Sequence, residues 1–122
     1  MKFFKPEEIT CKCGCGMMPQ EDFMARIELL RQACGFPFVV TSCARCPDHN
    51  SKVSATGRSG PHTTGRSIDI SCRGAEALVL IQKALLHGFT GIGVSQKGGS
   101  RFIHLDDLPN TPTSPRPYIW SY

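Results

Sequence analysis

Long hydrophobic runs are missing from this chain of 122 residues. No apolar stretch approaches the roughly 20 residues that a membrane-spanning helix needs, so stable membrane insertion is not expected. The opening MKFFKPEEIT reaches Pro6 and two acids before any apolar stretch develops, and so it does not read as a secretory signal. The expectation is a protein that starts in the cytoplasm, or leaves it by a route the sequence does not show. Internal repeats and basic runs are absent as well. The net charge of +4, from 14 basic and 10 acidic residues, is scattered along the chain, which argues against nucleic-acid binding. Its sign still suits anionic surroundings in general, whether nucleic acid, an acidic membrane face or an anionic cell-wall polymer. With 40% hydrophobic and 20% charged residues the composition excludes a disordered or collagen-like chain. The length fits a single domain over residues 1–122. Oligomeric state leaves no mark.

Cysteine, in contrast, is plentiful, and the count of seven is odd. Cys11, Cys13 and Cys15 share the run CKCGCG, Cys43 and Cys46 share CARC, and Cys34 and Cys72 stand apart. A secreted disulfide framework normally shows an even count behind a signal peptide, so these read as reduced thiols. CxCxC is not the CxxC spacing that recurs in structural zinc sites, so free, bridged and metal-binding thiols all remain open here.

Apolar Phe23, Ile27, Leu30 and Ala33 mark one face of a helix over about Glu21 to Cys34, with Gly35 as a stop. Phe38 to Thr41 is short and β-branched and reads as a strand. Pro47 suits the first turn of a helix with Cys46 before it. Ser67 to Ser71 alternates, with Ile68 and Ile70 toward a core and Ser67, Asp69 and Ser71 on the other face. A second helix spans about Ala75 to His87, with Leu78, Ile81 and Leu85 on one face. Gly91 to Val94 and Arg101 to Leu105 read as strands. The tail from Pro109 carries four of the nine prolines and ends in YIWSY. The fold class is α+β, a small mixed or antiparallel sheet with helices packed on one side.

His62 lies in the loop PHTTGRSIDI, seven residues before Asp69, and His104 lies on a strand in FIHLDD. Two imidazoles and a carboxylate make a three-ligand zinc site with one open position, the arrangement used for amide hydrolysis. Singly, each residue is as well explained as a surface or satisfied core group. The wording of the segments adds to this. His62, Gly65 and Asp69 repeat the pattern histidine, two residues, glycine, three residues, aspartate, and His104 follows near the C-terminus. Ahead of them stands Ser42-Cys43-Ala44-Arg45-Cys46-Pro47-Asp48-His49-Asn50. In these segments, in CKCGCG and in RPYIWSY the chain resembles the zinc D-alanyl-D-alanine carboxypeptidase and peptidoglycan endopeptidase family, which shares its fold with the hedgehog signalling domain. The likeness is to its compact phage-type members.

The resemblance implies one Zn2+ held by His62, Asp69 and His104. It implies a substrate side formed by Ser42 and Arg45, with Arg45 holding a peptide carboxylate through its planar fork. The implied substrate is the peptide stem of peptidoglycan, cut by a phage or prophage lysis enzyme that another component releases or delivers to the wall. Relatives carry an acidic general base three positions before the last zinc histidine, where this chain has Arg101. Asp106, two residues past His104 and so on its face of a strand, is the expected stand-in, with Asp107 as the control on the opposite face and His49 as an outside candidate. Asp106 has a second reading, as a hydrogen-bond acceptor for a ligand histidine or Arg45. The rival to catalysis is a non-catalytic domain that keeps the fold to bind wall peptides or a protein partner.

Overall fold

A computed structural model describes residues 2–122. In chain order its elements are α1 (Pro6–Ile9), α2 (Glu21–Cys34), β1 (Val39–Ser42), α3 (Pro47–Val53), a 3-10 helix (Pro61–Thr64), β2 (Ser67–Ser71), α4 (Gly74–Leu86), β3 (Gly91–Ser95), β4 (Phe102–Asp106) and β5 (Tyr118–Ser121). The five strands form one sheet in the order β1-β2-β4-β3-β5. All neighbours are antiparallel except β3 and β5, which run parallel. Among the described residues no helix is long and apolar enough to cross a membrane.

The period-two pattern divides the sheet into two chemically different faces. Ile68, Ile70, Ile92, Ile103 and Leu105 point to the side covered by α2 and α4 and join one hydrophobic core. Each such side chain taken from water contributes about 1.5–3 kcal/mol before entropy is counted. From α2 the core receives Phe23, Met24, Ile27 and Leu30, whereas the expected Ala33 stays exposed. The stripe foreseen on α4 is displaced by about one residue. Ala77, Leu80 and Ala84 are buried, while Leu78 and Leu85 remain 70% and 58% exposed. The small side chains of Ala77 and Ala84 flank Leu80 on the buried face, and the larger leucines point outward.

The other face of β2 and β4 carries Ser67, Asp69, His104 and Asp106, all buried although polar. Helix α3 and the 3-10 helix border this side. Two elements escape the periodicity argument, the single turn of α1 and strand β5. In β5, Tyr118, Ile119, Trp120 and Ser121 lie beside Gly91, Ile92, Gly93 and Val94.

Candidate metal centre

Antiparallel pairing sets Asp69 directly opposite His104 on the polar face. His62 arrives from the 3-10 helix, whose C-cap Gly65 takes φ 75° and turns the chain back into β2. That left-handed conformation suits glycine, which has no Cβ to clash. His62 Nε2 then lies 3.2 Å and His104 Nδ1 3.1 Å from Asp69 Oδ1. The three donor atoms all fall within 4.8 Å of one another.

Hydrogen bonds on the far side of each ring decide which nitrogens are free to bind a metal. His62 Nδ1 is 2.7 Å from the carbonyl oxygen of Cys43, which only accepts, so Nδ1 donates and Nε2 keeps its lone pair. His104 Nε2 donates to Asp106 Oδ2 at 2.8 Å, which leaves Nδ1 free. Both lone pairs converge on Asp69, the tautomers a zinc ion requires. At zinc–ligand distances of about 2.0–2.1 Å, neighbouring ligands of a tetrahedral site stand about 3.3 Å apart, close to the spacing found. The residues fit zinc. Burial alone raises the pKa of Asp69, but the imidazoles of His104 and His62 beside it outweigh burial and hold the carboxyl well below its usual range. Burial lowers that of His104, and the carboxylates of Asp106 and Asp69 on either side of the ring reverse the sign and raise it.

Asp106 does share the face of His104, and its hydrogen bonds there speak against the expected role as general base. Oδ2 accepts from His104 Nε2 and Arg116 Nη2, and Oδ1 accepts from Arg116 Nε and the Leu108 amide. A carboxylate offers about four lone-pair sites, and all four are used. The side chain has no exposed surface. Burial raises its pKa, but the bonds from His104 and Arg116 win and bring it down to about 2. Asp106 therefore orients His104 and has no lone pair left for a reacting water.

Two glycines make room for this arrangement. A Cβ on Gly91 would collide with the Asp106 carboxylate, and one on Gly93 would come within 2.9 Å of His104 Cβ and closer still to the Trp120 indole. Trp120 closes the layer, its ring centroid 4.9 Å from that of His104, with the Arg116 guanidinium 5.2 Å from the indole.

Above the three ligands lies a cleft of about 620 Å³, with Arg45, Arg116, Tyr118, Trp120 and Tyr122 among its walls. A bulge between Val40 and Ser42 places Ser42 opposite Asp69. Ser42 Oγ accepts from Arg45 Nε at 3.0 Å, Asn50 Oδ1 accepts from Arg45 Nη1 at 3.0 Å, and Arg45 Nη2 lies 3.8 Å from Asp69. Ser42 thus supports Arg45 and is not among the residues of the cleft wall. Asp48, three residues along the chain, binds Arg58 and not Arg45. His49 is also absent from the wall. Asp107 is no neutral control, since it is buried between Arg26 and Arg66. Arg101 lies just before β4 and donates to the Gly98 carbonyl.

The family model of peptidase M15 matches residues 2–106. The chain belongs to the peptidase M15 family. M15 peptidases are zinc-dependent, in keeping with the donor set at His62, Asp69 and His104. No curated protein matches the chain. The M15 match stops at Asp106, so Arg116 and Trp120, which hold the site from behind, come from the segment beyond it. Sequence reasoning missed both. The aromatic and β-branched run YIWS was the available sign of a strand.

Proposed function

We propose that this M15 chain is a zinc-dependent peptidase that hydrolyses peptide bonds in bacterial peptidoglycan stems, of the D-Ala-D-Ala carboxypeptidase or endopeptidase type. We place it in phage or prophage lysis, acting on the wall after release or delivery by another component. The observation that carries the reading is the pair of histidines whose far-side hydrogen bonds aim both free lone pairs at Asp69. When bound, zinc supplies Lewis acidity, polarising a scissile carbonyl and acidifying water. His62 Nε2, Asp69 and His104 Nδ1 would hold it. Asp106 keeps His104 in the required tautomer, and the Cys43 carbonyl does the same for His62. Arg45, steadied by Ser42 and Asn50, presents a guanidinium to the cleft and would bind a substrate carboxylate. Arg116 also borders the cleft, but its guanidinium is spent on Asp106 and the Pro115 carbonyl.

A second reading, a non-catalytic domain that binds wall peptides, is favoured by one observation. Among the described residues no carboxylate other than Asp69 lines the cleft. Release of free amines from purified peptidoglycan separates the two. Hydrolysis by the zinc-loaded protein that stops with chelator, and in His104→Ala, supports the peptidase. Binding to the wall peptides without amine release supports the second reading.

A further inference from the structure

CKCGCG has no part in the cleft, yet its three cysteines are drawn to one point. Sγ atoms of Cys11, Cys13, Cys15 and Cys46 all lie within 4.8 Å of one another. Cys11 and Cys13 sulfurs are 3.5 Å apart, and those of Cys13 and Cys46 are 3.6 Å apart. None of the four lines the cleft. In an extended strand, alternate side chains would be spaced at about 6.6 Å along one face. Here the run is folded instead. The Cys11 amide donates to the Met17 carbonyl at 2.9 Å and closes the loop. Gly14 and Gly16, at φ 86° and 88°, supply left-handed turns that a side chain would resist.

Weak S–H contacts give little reason for four thiols to gather, two of them exposed at the surface. A soft cation gives a strong one. With zinc–sulfur bonds of about 2.3 Å, a tetrahedral four-thiolate site has sulfur–sulfur edges of about 3.8 Å. The distances found approach that edge and lie far outside the roughly 2.05 Å of a disulfide. Two sulfurs also receive backbone hydrogen bonds, Cys11 from the Cys46 amide and Cys46 from the His49 amide, each at 3.3 Å. Such N–H donors offset thiolate charge and orient ligands around a metal. The remaining three cysteines, Cys34, Cys43 and Cys72, stay outside the cluster, which accounts for the odd total.

We propose a second, structural zinc site formed by Cys11, Cys13, Cys15 and Cys46. All four positions are filled by protein, so the ion is closed to substrate and acts as a staple. It fastens the loop of residues 11–17 to the first turn of α3. The connection it clamps, between β1 and α3, carries Arg45 and the Cys43 carbonyl that orients His62. The site is independent of the peptidase reading, since none of its ligands belongs to the His62, Asp69 and His104 set.

Elemental analysis and cobalt substitution of the reduced full-length protein test it. Wild type should hold two metal equivalents and, with cobalt, show an intense thiolate-to-cobalt charge-transfer band in the near ultraviolet. The His62→Ala/His104→Ala protein should lose one equivalent and keep the band. Cys13→Ser/Cys15→Ser should lose one equivalent together with the band. If that cysteine variant does not fold, the histidine variant decides alone: the band present supports the site, and its absence overturns it. Wild type binding cobalt with no charge-transfer band, or Cys13 found in a disulfide in protein purified under reducing conditions, also overturns it. No amine release from peptidoglycan by protein that holds both metals would sink the peptidase reading and leave this site standing.

Discussion

Asp106 and His104 sit two residues apart on one face of β4, and His104 Nε2 donates to Asp106 Oδ2 at 2.8 Å. That bond turns the opposite nitrogen of the ring toward Asp69. The same carboxylate takes two hydrogen bonds from Arg116, so a residue of the C-terminal segment is coupled to the metal centre through one buried acid.

Asp106→Asn keeps the shape but removes the charge, and its amide NH2 faces an Arg116 donor in either orientation, with His104 or the Leu108 amide beside it. Zinc affinity, read by competition with a chelator, should fall roughly ten- to hundredfold, the scale of lost partners behind metal ligands. Thermal stability should fall as well, because Arg116 is left buried without its counter-charge. An unchanged affinity would show that Asp106 does not position His104.

Gly91→Ala tests the clearance behind the site. The added methyl meets the Asp106 carboxylate, and overpacking of this kind costs about 1–3 kcal/mol. Denaturant unfolding should show that loss, with weakened zinc binding beside it. Gly99→Ala, whose methyl meets nothing within 4 Å, is the matched control and should change neither.

Ser67 contributes a buried hydroxyl with no hydrogen-bond partner, beside Asp106 in the β2–β4 register. Leaving such a group unsatisfied costs about 1–3 kcal/mol, so Ser67→Ala should raise the unfolding free energy by about 1 kcal/mol. A measured loss of stability would mean that a water or an alternate rotamer satisfies the hydroxyl.

Arg45→Lys retains charge and loses the planar fork. If Arg45 binds a substrate carboxylate, kcat/KM should drop about tenfold or more, as expected when a charge-assisted hydrogen bond worth about 1.5–3 kcal/mol is lost. The melting temperature should move little. A large fall in melting temperature with kcat/KM preserved would make Arg45 a structural tie to Asn50 and Ser42.

Asp107 illustrates where strand parity stops being a guide. Counting by twos separates it correctly from Asp106, but parity ends with β4 at Asp106. What Asp107 does is set by α2, which brings Arg26, and by Arg66 at the entry to β2. Leu78 and Leu85 are a similar case. Their spacing marks a stripe on α4, yet the stripe that faces inward is the neighbouring one of Ala77, Leu80 and Ala84, which the docked helix alone reveals.

By itself the sequence determined what is local or periodic: α2, α3 and α4, the strand faces of Ile68 and Ile70, and the order of His62, Asp69 and His104 along the chain. These follow from side-chain period, proline and glycine placement, and motif spacing, all of which act over a few residues. Only the tertiary structure decided the tautomers of the two histidines, the capture of Asp106 by Arg116, the parallel docking of β5 and the meeting of Cys46 with the CKCGCG loop. Each of these joins residues brought together by sheet register or loop closure. Chain spacing holds no record of which lone pair a distant donor will occupy.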